Sequence, residues 1–190
     1  MKKLFLILLT GILSAPFSLV AQDNIFDFKK TASILIDAKG QKTKLRIEDK
    51  KYILVYYSSH WCSACKSFTP KLVDFYKKNS NGLFEIIFMS LDFSEKDQLA
   101  YMRNSRMPWI AVSFPKLKGS GLFEFAGYVM PWIAVFKVDG THIPNSNLNL
   151  VNRTPEQVLA ALRGAMSIKK NKIDKDTVKK TQTKRDIVSL

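Results

Sequence analysis

YILVYYSSHWCSACKSFTPKL, residues 52–72, changes character twice. Its first seven residues are uncharged and rich in β-branched and aromatic side chains, the composition of a short strand buried on both faces. Three loop residues follow, then Cys62 and Cys65 with Ser63-Ala64 between them. Beyond Lys66 the apolar residues Phe68, Leu72, Val73, Phe75 and Tyr76 recur at helical spacing until Asn81-Gly82 breaks the pattern. A buried strand therefore passes through a short turn into a helix, and Cys62 lies where the helix begins.

The flanking sequence extends this alternation. Residues 83–91 (LFEIIFMSL) read as a second buried strand, and Ser94-Glu95-Lys96-Asp97 is a capping box opening a helix to about Arg106. Upstream, residues 33–37 (SILID) form a short alternating strand. Strand, helix, strand, helix implies parallel pairing and an α/β sheet. The hexapeptide MPWIAV then occurs twice, at residues 107–112 and 130–135. The flanks of the two copies do not match, and a solenoid array needs three or more longer units, so the copies do separate jobs. The first continues as an extended segment into Ser113-Phe114-Pro115 and the Lys/Gly-rich stretch 116–121. The second leads through Phe136 to Asp139-Gly140, a strong hairpin signal. Thr154-Pro155-Glu156-Gln157 caps a closing helix that reaches about Ile168.

With 190 residues, 46 % hydrophobic and including 13 Phe, the chain can fill the core of one domain. Residues 1–21 lie outside that domain: Lys2-Lys3, an apolar run to Leu13 and small residues near Ala21 have the build of a secretory signal. Bulky Leu19 leaves open a retained membrane anchor, although the run is short for a span. The expected organisation is a signal or anchor at 1–21, a domain at 22–168 and a basic tail at 169–190. The net charge of +14 has no Lys/Arg cluster interleaved with aromatics, which argues against a nucleic-acid binder. From Lys169 to Leu190 eight Lys or Arg face three acids, without aromatics. That composition reads as a solvated, disordered end, with weak contact to an anionic envelope surface as the alternative.

An exported chain lives where disulfides persist, and Cys62 and Cys65 are its only cysteines. A thiol at a helix start faces unpaired backbone N–H groups and the positive end of the helix dipole, which favour the thiolate. Cys65, one turn further in, can reach the same sulfur from a more buried position. The pair can thus cycle between dithiol and disulfide, with Cys62 as nucleophile and Cys65 as resolving thiol. A structural staple closing so small a loop would remove little chain entropy. A zinc site would need more ligands than His60 and His142 supply. The sequence calls for no metal or other cofactor.

The run from Tyr57 through Trp61-Cys62-Ser63-Ala64-Cys65 to Phe68-Thr69-Pro70-Lys71-Leu72, with MPWIAV downstream, resembles the tryparedoxin/nucleoredoxin branch of the thioredoxin-like superfamily. The resemblance covers about residues 30–145. It implies a thioredoxin fold, in which a central mixed β-sheet is flanked by helices and the CxxC stands at the N-terminus of the first core helix. With the leader, it implies an exported, periplasmic or extracytoplasmic bacterial protein. Pro131 matches the family's cis-proline beside the active site, with Met130 before it on the substrate side; Pro108 belongs to the scaffold or rim. Ser63-Ala64 departs from the family's usual proline-containing dipeptide, and Met130 is larger and more flexible than the residue thioredoxins carry before the cis-proline. Tyr56 stands where thioredoxins carry a buried acid, as is common in this branch, so the proton acceptor for Cys65 must be water or another group.

The candidate site is therefore Cys62 and Cys65 for chemistry, with Trp61, Met130 and Pro131 for substrate contact. His60, Lys66 and Tyr56 are modulators, each with a plainer alternative: a solvent-facing loop histidine, a solvated helix lysine and a core tyrosine. The expected function is thiol:disulfide exchange with protein dithiols or disulfides, and a partner of unknown identity recharges the pair. The alternatives are an oxidant or isomerase of new disulfides, or a thioredoxin-fold interaction module whose cysteines are vestigial.

Overall fold

The computed structural model describes residues 25–79, 83–144, 154, 156–157, 159–161 and 163–164. The expected leader, part of the closing helix and the basic tail fall outside the described residues. In chain order the elements are β1 (Leu35–Ile36), β2 (Tyr52–Ser58), α1 (Ser63–Asn79), β3 (Phe84–Ser90), α2 (Glu95–Asn104), β4 (Ile110–Val112), β5 (Trp132–Lys137) and β6 (His142–Ile143). The strands make one mixed sheet in the order β1-β4-β3-β2-β5-β6. β2, β3 and β4 run parallel, β5 is antiparallel to β2, and β1 and β6 pair antiparallel at the two edges. This is the thioredoxin fold.

Every residue of β2 is buried, as its unbroken apolar run requires. Its side chains alternate between two cores. Tyr52, Leu54 and Tyr56 pack with Phe68, Leu72 and Phe75 of α1 and with Tyr101 and Met102 of α2. Ile53, Val55 and Tyr57 enter the opposite core with Phe28, Leu117, Leu122 and Phe136. α1 begins at Ser63, three residues earlier than its apolar periodicity indicates, and runs on through Pro70. At α2, Ser94 Oγ accepts the Asp97 N–H at 3.1 Å and donates to the Asp97 carboxylate at 2.6 Å. The predicted cap is therefore present. Thr154 and Gln157 exchange the reciprocal bonds of their own capping box, at 2.8 and 3.4 Å. Behind that cap, Leu159 reaches the core that covers α1.

Of the predicted SILID strand, only Leu35–Ile36 pairs in the sheet; Asp37 instead accepts backbone N–H groups from Lys39 and Gln41 to close a turn. The first MPWIAV gains a role that its sequence hid, because its last three residues are β4, the third parallel strand. The second copy supplies β5, and the hairpin turns at Gly140, where φ is +90°. A Cβ there would run into the carbonyl oxygen of Phe26, whose N–H donates to Gly140 at 2.8 Å.

In the same hairpin His142 packs edge-on against Phe125, with ring centroids 4.8 Å apart, and against Phe136 at 4.9 Å. Burial among these rings pulls its pKa below the ordinary imidazole value. The unfolded chain therefore binds this proton more readily than the fold does. Stability is fully present above the ordinary value and is lost as pH falls through it toward the depressed one. The urea midpoint should drop between about pH 7.5 and about pH 5, and the drop should shrink in His142→Phe. An equal drop in the variant would assign the loss to other groups.

Candidate active site

The parallel strands deliver three loops to one end of the sheet. Ser58, the last residue of β2, is in register with Ser90, the last of β3, and the Leu91 N–H donates to the Ser58 carbonyl at 2.9 Å. Tyr57 is in register with Trp132, the first residue of β5. The loop carrying Cys62, the loop after Ser90 and the Met130-Pro131 segment thus meet where α/β sheets place their sites, at the carboxyl ends of parallel strands.

Cys62 and Cys65 are joined by a disulfide at the start of α1. Cys62 is half-buried and Cys65 fully buried. The Cys65 backbone N–H points at Cys62 Sγ, 3.1 Å away. An unpaired N–H of the first helical turn thus serves the outer sulfur, which stabilises that sulfur as a thiolate when the bond is reduced.

Beneath Cys65 lies a cluster of hydroxyls. Thr69 Oγ1 donates to the Cys65 carbonyl at 2.8 Å and lies 2.9 Å from the Tyr56 hydroxyl and 2.6 Å from that of Tyr101. Because a threonine hydroxyl has one hydrogen and two lone pairs, both tyrosines donate to it. Ser58 Oγ, 3.1 Å from Tyr101, completes the chain as a donor. Burial, reinforced by neighbouring Tyr101, pushes the Tyr56 phenol far above its ordinary value, so it stays protonated. Tyr56 is a core residue that braces the first turn of α1, and it supplies no charge.

Trp61 is 45 % exposed, and its indole N–H is held by the Leu91 carbonyl at 3.2 Å. Phe93, 78 % exposed, stacks on it with centroids 5.6 Å apart and planes 14° from parallel. Met130 is half-buried, Pro131 is buried, and the bond between them is the cis peptide bond among the described residues. Met107-Pro108 is not cis; Met107 is buried and Pro108 exposed. Lys66 is exposed and, among the described residues, forms no ion pair. His60 is tied to Asp92 through both its backbone N–H, at 2.7 Å, and its ring Nδ1, at 2.8 Å.

Asp92 and Phe93 touch the candidate residues His60 and Trp61, and periodicity does not reveal them. One signal was available: a lone acid and an aromatic directly after a buried parallel strand, where loops carry function.

Sheet order, helix placement and the Cys62–Cys65 disulfide at the start of α1 define a thioredoxin-fold protein with a CxxC pair. A "Thioredoxin-like" family model matches residues 49–140. A crystal structure of thioredoxin from Wuchereria bancrofti superimposes with a TM-score of 0.53 at 35 % identity, over 71 % of this chain and 97 % of that one. The chain belongs to the thioredoxin-like family. Among curated proteins it is 38 % identical to a probable nucleoredoxin 1 of Arabidopsis thaliana over 106 residues, 53 % of this chain but 18 % of that protein. It is also 38 % identical to a tryparedoxin of Trypanosoma brucei brucei over 65 residues, 34 % of this chain and 44 % of that one. The chain thus spans less than half the length of these curated relatives.

Proposed function

We propose that this chain is an exported thiol:disulfide oxidoreductase that exchanges disulfides with protein substrates through Cys62 and Cys65. The observation that carries the reading is the asymmetric pair at the start of α1: the outer sulfur is half-buried and receives a backbone N–H, and the inner one is fully buried. That asymmetry suits attack by one sulfur and resolution by the other. The likeness to nucleoredoxin and tryparedoxin supports the same chemistry. Export rests on the leader-like composition of residues 1–21; the composition of segment 169–190 suits a solvated basic tail, with weak contact to an anionic envelope surface as the alternative. A partner thiol or disulfide recharges the pair. In the test, catalytic amounts of the protein are added to insulin and dithiothreitol. Accelerated precipitation of the insulin chains is expected, and an unchanged lag would sink the reading.

The exposed Trp61 and Phe93 rings favour protein substrates, since they offer apolar area to residues flanking a client cysteine. Phe93→Ala should raise KM for insulin by about 3–10-fold, the equivalent of one aromatic contact, with kcat nearly unchanged. An unaltered KM would remove Phe93 from the substrate surface.

A further inference from the structure

Asp92 is a carboxylate with no exposed side-chain surface. Such a group must collect donors from the protein. Oδ1 takes the His60 backbone N–H and the His60 ring, and Oδ2 takes the Ser90 hydroxyl at 2.7 Å. Two of its three donors therefore come from one residue, two positions before Cys62.

The pairing decides how the imidazole is used. A ring nitrogen 2.8 Å from a carboxylate oxygen carries the hydrogen, so in the neutral ring Nδ1 is the protonated nitrogen and Nε2 holds the lone pair. The His60 side chain remains 44 % exposed. Among the described residues, Asp92 is the charged side chain within ion-pair distance of His60. The Tyr56, Thr69 and Tyr101 hydroxyls near Cys65 are already committed to one another and to the Cys65 carbonyl. Of the groups on this loop, His60 alone offers a base.

We propose that His60, held by Asp92, is the proton-exchange group of the redox pair, an inference that rests on the oxidoreductase reading. With the pair reduced, Nε2 takes the Cys62 thiol proton across the solvent at the site mouth. The thiolate attacks a client disulfide: the Cys62–client bond forms, the client S–S bond breaks, and its electron pair leaves on the second client sulfur. That sulfur takes the proton back from His60. Cys65 then attacks the Cys62 sulfur, and its own proton passes to the departing client sulfur. The client has gained two electrons and two protons, and Cys62–Cys65 is again a disulfide. Asp92 is a positioning residue, fixing the tautomer and stabilising the imidazolium.

His60→Asn tests the proposal, because the asparagine amide can still donate to Asp92 while offering no base. Pre-reduced protein is mixed with a peptide disulfide in single turnover and followed by tryptophan fluorescence. The expected result is a fall in rate of at least about tenfold, against about 100-fold or more typical of a positioned acid–base group, partly restored by added imidazole and without change in melting temperature. A rate within about twofold of wild type, below any such contribution, would overturn the proposal, as would a fall that imidazole does not restore, since His60 would then only anchor the loop. Should His60→Asn fail to fold, Asp92→Asn keeps acceptors for the ring and removes the charge; an unchanged rate there would equally overturn it. A wild type inert toward the peptide overturns both this and the oxidoreductase reading, whereas an active wild type matched by His60→Asn overturns this one alone.

Discussion

Replacing Cys62 with serine is expected to abolish disulfide exchange, whereas Cys65→Ser should attack each client once and remain attached to it. The asymmetry follows from position. Cys62 Sγ is half-buried and accepts the Cys65 N–H at 3.1 Å, so the outer sulfur meets a client in its nucleophilic form. Cys65 has no exposed surface and sits over the Tyr56–Thr69–Tyr101 hydroxyls, so it can reach only the sulfur of Cys62. A serine at 62 leaves no accessible nucleophile; a serine at 65 leaves one with no means of release. Non-reducing electrophoresis after incubation with disulfide-containing clients separates the cases. Adducts that form on Cys62→Ser and not on Cys65→Ser would reverse the roles.

The largest loss of stability is expected at Phe136, where truncation to alanine should cost about 3–5 kcal/mol and lower Tm by roughly 10 °C for a domain of this size. Phe136 has no exposed surface, and its ring touches four others: Phe125, His142, Phe28 and Phe26, at centroid distances of 4.8, 4.9, 5.2 and 6.1 Å. These neighbours come from β6, from the turn before β5 and from the segment preceding β1. They converge on one ring and cannot all move inward to fill its place. Phe136→Leu keeps most of the volume and should cost far less. Chemical denaturation checks both, and a loss below about 1 kcal/mol in the alanine variant would mean that the site collapses around the smaller side chain.

The parts of this fold legible in the sequence are those governed by short-range periodicity. β2 ends where its apolar run ends, α2 starts at its Ser94 cap, and Gly140 turns the hairpin. The redox pair was legible because CxxC at a strand-to-helix junction has few other uses. The two MPWIAV phrases mark the limit of such reading. In the first copy Trp109 and Ala111 face the helix-covered core, whereas in the second Trp132 and Ala134 face the opposite one. The same six letters are threaded out of step through the sheet, because strand neighbours set by distant residues choose the face. The His60–Asp92 and Trp61–Phe93 pairs were equally hidden, since each joins loops about 30 positions apart and no periodicity links them.

The shortness of the two outer strands bears on how the molecule behaves in company. β1 and β6 are two residues each, and past them the described backbone offers only single bridges, Ile36 to Lys42 and Ile25 to Thr141. A long, flat, unpaired border would invite a neighbouring chain to extend the sheet and begin an aggregate. Here the three inner pairings are shut in, and one border carries a lysine. The sulfur pair at the start of α1 is thus presented without the edge of the sheet being offered as a template.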